Sequence, residues 1–159
     1  MTKLQTIRTI LKDAGFQPRV QDDYVAFQHE GGTYVIPVDS DDEAYVRLIF
    51  PNFWSIDDAK EHARVLEVAA MVTSRMKNVK VYPHEGNTMA CVELLMPRVE
   101  DFARVFPRAL AALQTAARNF QLTMQIGRGD LPGGEMAIAD LLRRMIEQAR
   151  GDERGREAG

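Results

Sequence analysis

The sequence contains few of the residues that usually perform chemistry at an active site. Its 159 residues include one cysteine, three serines and three histidines. A single cysteine excludes an intramolecular disulfide, and no serine lies in the Gly-x-Ser-x-Gly pattern of a hydrolase nucleophile. The histidines, at positions 29, 62 and 84, have no second ligand at the spacing of a metal site. We therefore expect no catalytic residue, no metal and no cofactor, and a protein that is not an enzyme.

Excess positive charge and long apolar runs are also lacking. The net charge is -3 at pH 7, whereas a general polyanion binder needs an excess of clustered lysine and arginine. A membrane-spanning helix needs about 18 consecutive apolar residues, which this chain does not contain, and its first residues lack the apolar segment of a secretory signal. We expect a cytoplasmic protein whose partners include neither nucleic acid nor membrane.

Ordered apolar patterns are what the sequence does contain. Apolar residues three and four positions apart predict helices, and strict alternation predicts strands. In chain order these patterns predict an α-β-β-β-α-β-β-α arrangement, which is an α+β fold with an antiparallel five-stranded sheet packed by helices. The predicted ranges are 4–14 (helix), 24–30, 33–38 and 44–50 (strands), 55–76 (helix), 79–84 and 88–96 (strands) and 97–120 (helix).

Turn and cap residues set the expected boundaries of these elements. Gly31-Gly32 predicts a two-residue hairpin turn, because both central positions of a type I′ turn need a positive φ. Pro51 is expected to end the third strand, since proline cannot donate a hydrogen bond to a sheet. Ser55, followed by Asp58, predicts the N-cap of the next helix. The inward-facing stripe predicted for that helix is Ala59, Ala63, Leu66, Ala69, Val72 and Met76.

The last predicted helix of the domain is also the longest, and Pro107 within it is expected to kink the helix or to mark a restart. Beyond it we expect a Gly-rich loop at 127–135, a C-terminal helix at 136–150 and a disordered charged tail at 151–159. The folded domain should then span residues 1–126. The apolar stripe of the long helix is Val99, Phe102, Phe106, Ala109, Leu110, Leu113, Ala117 and Phe120.

Both faces of the predicted sheet carry apolar side chains. In the last strand Val92 and Leu94 point to one face, whereas Met89, Cys91 and Leu95 point to the other. A small domain does not leave both faces of its sheet apolar unless something covers one of them. The C-terminal helix, a second subunit of a homodimer and a client peptide are the alternatives. The predicted partner-binding residues are Tyr82, Met89, Cys91 and Leu95.

Three charged features have alternative interpretations. Glu93 is either a buried acid with a raised pKa or, as we favour, a more exposed acid that pairs with Lys80 or with an arginine across strands. Arg104 and Arg108 form either an anion-binding patch or a solvated helix face. The acidic loop at 39–43 lacks the glycine and glutamate that complete a calcium-binding loop, so we predict a solvated turn.

The order of elements, together with three local patterns, resembles a known family. These patterns are the helix end Ala14-Gly15-Phe16, the hairpin at Gly31-Gly32 and the segment Val79–Phe120. Over roughly residues 3–125 the chain resembles the type III secretion chaperone-like fold and, within it, the YbjN-like family of bacterial proteins. The resemblance implies a chaperone-like α+β domain within residues 1–126 and brings no catalytic residues.

The resemblance also implies a style of function. Secretion chaperones of this fold are acidic homodimers that hold an unfolded segment of a secreted client, and YbjN-like proteins are described as sensory or signalling regulators. We therefore expect a non-enzymatic protein-binding module, chaperone-like or regulatory, which acts on a polypeptide partner through an apolar sheet or helix surface. The alternative is a small-ligand-binding or enzymatic domain whose site is assembled from distant residues.

Overall fold

A computed structural model of the chain describes residues 1–38, 41–126 and 143–147. The chain divides into two units, Met1–Met124 and Gln125–Gly159. Within the described residues, no helix is both long and apolar enough to cross a lipid bilayer. The elements in chain order are α1 (Lys3–Asp13), β1 (Arg19–Val20), β2 (Tyr24–His29), β3 (Gly32–Pro37), β4 (Tyr45–Ser55), α2 (Ala59–Arg75), β5 (Val79–His84), β6 (Asn87–Leu95) and α3 (Phe102–Ile126).

The strands form one antiparallel sheet in the order β1-β2-β3-β4-β6-β5. The predicted α+β fold is confirmed, but the sheet has six strands rather than five. The additional strand is β1, in which Arg19 pairs with Ala26 and Val20 with Val25. Two residues are too few to show an alternating pattern, so only the pairing with β2 reveals this strand.

The ends of α1 follow directly from its sequence. Thr2 and Gln5 form a reciprocal capping box at its N-terminus, which satisfies two backbone donors. Gly15 has a φ of +90° at the C-terminus, and the amide of Phe16 donates to the carbonyl of Leu11 at 3.0 Å. This folding back brings the Phe16 ring onto the core, where it meets the ring of Phe27.

The turn between β2 and β3 lies one residue earlier than predicted. His29 pairs with Gly32, so the two turn residues are Glu30 and Gly31, with φ values of 46° and 78°. Gly32 belongs to β3 and serves another purpose, because a Cβ atom there would lie 2.9 Å from Cε2 of the Phe50 ring. Glycine is needed at position 32 because the Phe50 ring occupies the space of a side chain, and not because the turn requires it.

Strand β4 does not end at Pro51, contrary to the prediction, but continues to Ser55. The pairing with β6 is irregular between Phe50 and Trp54, and Asn52 has a φ of 54°. Proline is tolerated at such an irregularity because the regular hydrogen-bond ladder is interrupted there.

The predicted start and orientation of α2 were also wrong. The N-cap is Asp58, not Ser55, and its carboxylate accepts a hydrogen bond from the amide of Glu61 at 2.7 Å. Leu66, predicted to face inward, is 47% exposed. The side chains of consecutive helix residues point in directions about 100° apart. The buried face of α2 is therefore rotated from the predicted one, with position 65 inside instead of position 66. The buried residues of α2 are Val65, Val68, Ala69 and Val72.

Helix α3 has the buried face that was predicted. It runs without interruption through Pro107, so no restart occurs there. The rings of Phe16 and Phe106 meet edge to face, as do those of Phe27 and Phe106. These contacts hold α3 and the end of α1 against β2. Every residue of the predicted stripe is buried, namely Val99, Phe102, Phe106, Ala109, Leu110, Leu113, Ala117 and Phe120.

Several predictions fall wholly or partly on residues outside the described ranges. The Gly-rich loop at 127–135 and the tail at 151–159 lie entirely outside them, as do Asp39 and Ser40 of the acidic loop. Of the C-terminal helix predicted at 136–150, residues 143–147 are described and are helical.

Candidate functional site

The candidate site is the sheet surface opposite α1, α2 and α3, which we call the outer face. Cross-strand pairing places one row of side chains across all six strands of this face. Directly paired residues point to the same side of a sheet, so the row forms one continuous surface. In spatial order the row is Arg19, Ala26, Val35, Ile49, Cys91 and Lys80.

The four predicted partner-binding residues all lie on the outer face. Tyr82 pairs with Met89 across β5 and β6, and both are half-buried. Leu95, at the end of β6, is 80% exposed and pairs with Tyr45 of β4. Cys91 is only 1% exposed, so it supports the surface from below and offers little area to a partner. Thus Tyr82, Met89 and Leu95 remain candidate contact residues.

A polar cluster centred on Glu93 lies within this surface. The Tyr45 hydroxyl donates to Oε1 of Glu93 at 2.8 Å, and the Lys80 ammonium forms an ion pair and hydrogen bond with Oε2. The hydrogen bond from Lys80, followed by the one from Tyr45, lowers the pKa of Glu93. The cross-strand pair of Glu93 with Lys80 is thereby confirmed, and the alternative of a buried acid with a raised pKa is wrong.

Arg47 is the residue of this surface that sequence reasoning missed. It lies directly opposite Glu93 in the pairing of β4 with β6, yet both oxygens of that carboxylate already accept other donors. Its Nε atom is buried and has no hydrogen-bond acceptor among the described residues. The signal in the sequence was an arginine inside the otherwise apolar strand Tyr45-Val46-Arg47-Leu48-Ile49. Such a residue is a candidate for binding an anion.

Cys91 and Tyr82, two further polar side chains of this face, are held in their neutral forms. Burial, followed by the charge of Glu93, raises the pKa of the Cys91 thiol, which disfavours the nucleophilic thiolate. Burial also raises the pKa of Tyr82. Among the described residues, no group of three or more histidine, cysteine, aspartate or glutamate side chains could hold a metal ion.

The pKa of the Tyr45 hydroxyl reports on its hydrogen bond to Glu93. Burial, and then the hydrogen bond to Glu93, raises its pKa from 10.0 to about 12. We expect Glu93→Gln to lower this pKa towards 10.0 without reaching it, because burial remains. Alkaline titration followed by tyrosinate absorbance measures the change, and Tyr45→Phe identifies the signal. An unchanged pKa in Glu93→Gln would show that the hydrogen bond has no effect.

The raised pKa of Tyr45 also predicts how the stability of the fold changes at alkaline pH. Because the folded state holds the Tyr45 proton more tightly, the unfolded state releases it first, near pH 10. The contribution of Tyr45 is therefore fully present below that pH and is lost as the pH rises to about 12. Unfolding measured in denaturant at increasing pH should show a smaller alkaline loss of stability in Tyr45→Phe than in wild type.

A cleft of about 230 Å³ lies on the helix side of the sheet, away from the outer face. Its rim carries His29 and Gln114, and the amide of Gln114 donates to a Glu30 oxygen at 2.9 Å. The His29 ring also meets the Phe16 ring edge to face at 5.3 Å. The cleft is lined by Ala14, Phe16, His29, Phe106, Pro107, Leu110, Ala111 and Gln114.

The sheet with its helices packed against one face defines this chain as a protein of the YbjN-like fold. The crystal structure of YbjN from E. coli, a candidate transcription regulator, is similar with a TM-score of 0.54 at 16% identity, over 72% of this chain and 87% of YbjN. An uncharacterized protein from Methanothermobacter thermautotrophicus is similar with a TM-score of 0.55 at 9% identity, over 78% of this chain and 97% of that protein.

Sequence comparisons add nothing to this structural likeness. No family model matches the chain. No curated protein sequence matches it either. At such low identities the structural likeness shows the fold and leaves the function to be argued from the site.

Proposed function

We propose that this protein is a non-enzymatic module, chaperone-like or regulatory, that binds a polypeptide partner through the outer face. The observation that carries the proposal is Leu95, which is 80% exposed beside the half-buried Tyr45. Contiguous exposed apolar groups, rather than single exposed residues, mark interaction surfaces, and Leu95 lies beside the ring of Tyr45 on the same face. Full burial of such a side chain contributes about 1.5–3 kcal/mol.

The geometry of the face suits an extended or amphipathic segment. Met89 and Tyr82 form a second apolar part of the face, where β6 pairs with the edge strand β5, and the polar cluster of Glu93 separates it from Leu95. A partner that lies across these strands would place alternate side chains on the face without needing a catalytic group. A second copy of the chain is a polypeptide partner of the same kind, so we include a homodimer in the proposal. The regulatory role is supported only by the description of YbjN as a candidate transcription regulator.

The test of this proposal is Leu95→Glu. We expect peptide binding to weaken by about tenfold or more, because a charge would replace an apolar contact worth at least 1.4 kcal/mol. Binding is measured on an array of random peptides and then by fluorescence anisotropy, and light scattering on the same samples reports the oligomeric state.

Leu66→Glu is the matched control, since Leu66 is also an exposed leucine but lies on α2, which packs against the other face. It should bind peptides as wild type does. Equal weakening by both substitutions would point to a general effect of charge. A wild-type protein that is monomeric and binds no peptide would overturn the proposal.

The cleft on the helix side supports a second candidate, the binding of a small ligand. An apolar floor with a few polar groups at the rim, here His29 and Gln114, is the usual composition of such sites. Ala111→Trp, which places a large ring at the exposed wall of the cleft, tests it. Loss of small-molecule binding with unchanged peptide binding would favour this candidate over the outer face.

A further inference from the structure

We propose that Arg47 binds a carboxylate of the partner, so that the polypeptide recognised by the outer face is acidic as well as apolar. This inference rests on the proposed function and specifies its partner. It begins from Glu93, the acid that pairs with Arg47 across β4 and β6, whose two oxygens accept hydrogen bonds from Tyr45 and Lys80. The charge of Arg47 acts on Glu93, but among the described residues the two side chains form no ion pair.

The burial and hydrogen bonding of Arg47 support a role in binding. The side chain is half-buried, and its Nε–H group meets no acceptor in the part of the chain that the structure describes. A guanidinium has five N–H donors in a planar fork that matches the two oxygens of a carboxylate. Charge-assisted bonds of this kind are among the strongest hydrogen bonds in proteins. Because Nε itself is buried, an incoming acid would bind the part of this half-buried side chain that is still exposed.

Charge on the outer face is complementary to an acidic partner. The strand residues that point to this face include three cations, Arg19, Arg47 and Lys80, and a single carboxylate, Glu93. The chain as a whole has a net charge of -3. Positive charge is therefore concentrated on this surface of an otherwise acidic protein, which favours association with negatively charged segments.

The spacing between Arg47 and the apolar contacts predicts a pattern in the partner. Arg47 is two residues from Tyr45 along β4, and Tyr45 pairs with the exposed Leu95. Two residues of a strand span about 6.8 Å, the same distance that separates alternate side chains of an extended peptide. An extended partner can therefore place an acidic residue on Arg47 and a large apolar residue, two positions away, against Leu95.

The experiment uses the full chain and acetylated, amidated peptides of one apolar pattern, in which the alternating polar positions are all glutamate, all glutamine or all lysine. For wild type we expect the glutamate peptide to bind about tenfold or more tightly than the glutamine peptide, and the lysine peptide to bind weakest. In Arg47→Gln the preference for glutamate over glutamine should fall to within about twofold, since the carboxylate loses its guanidinium.

Two further variants separate recognition from general effects. Arg64→Gln removes a cation from α2, whose face is packed on the other side of the sheet, and should keep the full preference for glutamate. Arg47→Lys keeps the charge but loses the planar fork, so it should give an intermediate preference. Circular dichroism checks that each variant is folded, and if Arg47→Gln does not fold, Arg47→Lys alone carries the test through the same ratio.

The outcomes distinguish this inference from the proposed function. Peptide binding that depends on Leu95 but shows equal affinity for glutamate and glutamine would overturn the role of Arg47 and leave the polypeptide-binding surface intact. Absence of binding to any peptide would overturn both. Preferential binding of a single-stranded oligonucleotide, included because a guanidinium also binds phosphate, would overturn the choice of an acidic polypeptide.

Discussion

Replacing Leu113 with alanine is expected to lower the free energy of unfolding by about 2–5 kcal/mol. Leu113 lies at the middle of α3 and is 0% exposed. Its truncation removes apolar contacts and leaves a cavity that the rigid sheet and helix around it fill only in part. Chemical denaturation followed by circular dichroism measures the loss.

Leu66→Ala is the control for this prediction, because it makes the same chemical change at a leucine that is 47% exposed. Its effect should stay within about 0.5 kcal/mol, as is usual for a surface position. The pair also tests the orientation of α2, since the sequence pattern placed Leu66 inside. A large loss in Leu66→Ala, or a negligible one in Leu113→Ala, would mean that the helix faces are assigned incorrectly.

Replacing Phe106 with alanine should cost about 3–5 kcal/mol, the range for a large aromatic side chain in a core. Phe106 is 1% exposed, and its ring contacts those of Phe16, Phe27 and Phe102. These rings join the end of α1, strand β2 and helix α3, so the substitution loosens three elements together. The loss should include the geometric preference of aromatic pairs in addition to buried area.

Val105→Ala provides the comparison for Phe106→Ala within the same helix. Val105 is adjacent to Phe106 and is 38% exposed, so its truncation should change the free energy of unfolding by less than about 0.5 kcal/mol. Both variants are measured by denaturant unfolding with a shared slope. Comparable losses at the two positions would show that the aromatic cluster does not concentrate stability at this end of the domain.

The two faces of the sheet differ in the side chains that they carry. The helix side holds the aromatic core, whereas the outer face holds a buried thiol, half-buried tyrosines and the exposed Leu95. Substitutions on the helix side should therefore change stability, and substitutions on the outer face should change binding. This separation makes the binding experiments interpretable, because Leu95→Glu alters a side chain that contributes little to the core.

The sequence by itself determined the order of the elements other than β1, and the buried face of α3. Apolar residues recur along α3 at the helical period from Phe102 to Phe120, so only one face of the helix can be buried. The strand faces were also predictable, since side chains alternate strictly along a strand. The four residues predicted for binding consequently lie on one face, although their function there stays a prediction.

Only the tertiary structure decided the features that depend on residues far apart in the chain. In α2, Ala69 and Val72 fit both the predicted and the observed stripe, and packing against β5 selected the face with Val65 and Val68. Passage of β4 through Pro51 depended on its irregular pairing with β6.

The outer face shows the same limit of sequence reasoning. The pair of Glu93 with Lys80 could be predicted because β5 and β6 are consecutive strands, whereas the position of Arg47 opposite Glu93 depends on the pairing of β4 with β6. A local sequence contains the period of its side chains but not the identity of their cross-strand neighbours. For that reason the position of Tyr82, Met89, Cys91 and Leu95 on one face could be predicted from the sequence, whereas the position of Arg47 opposite Glu93 emerged only once the strands were paired.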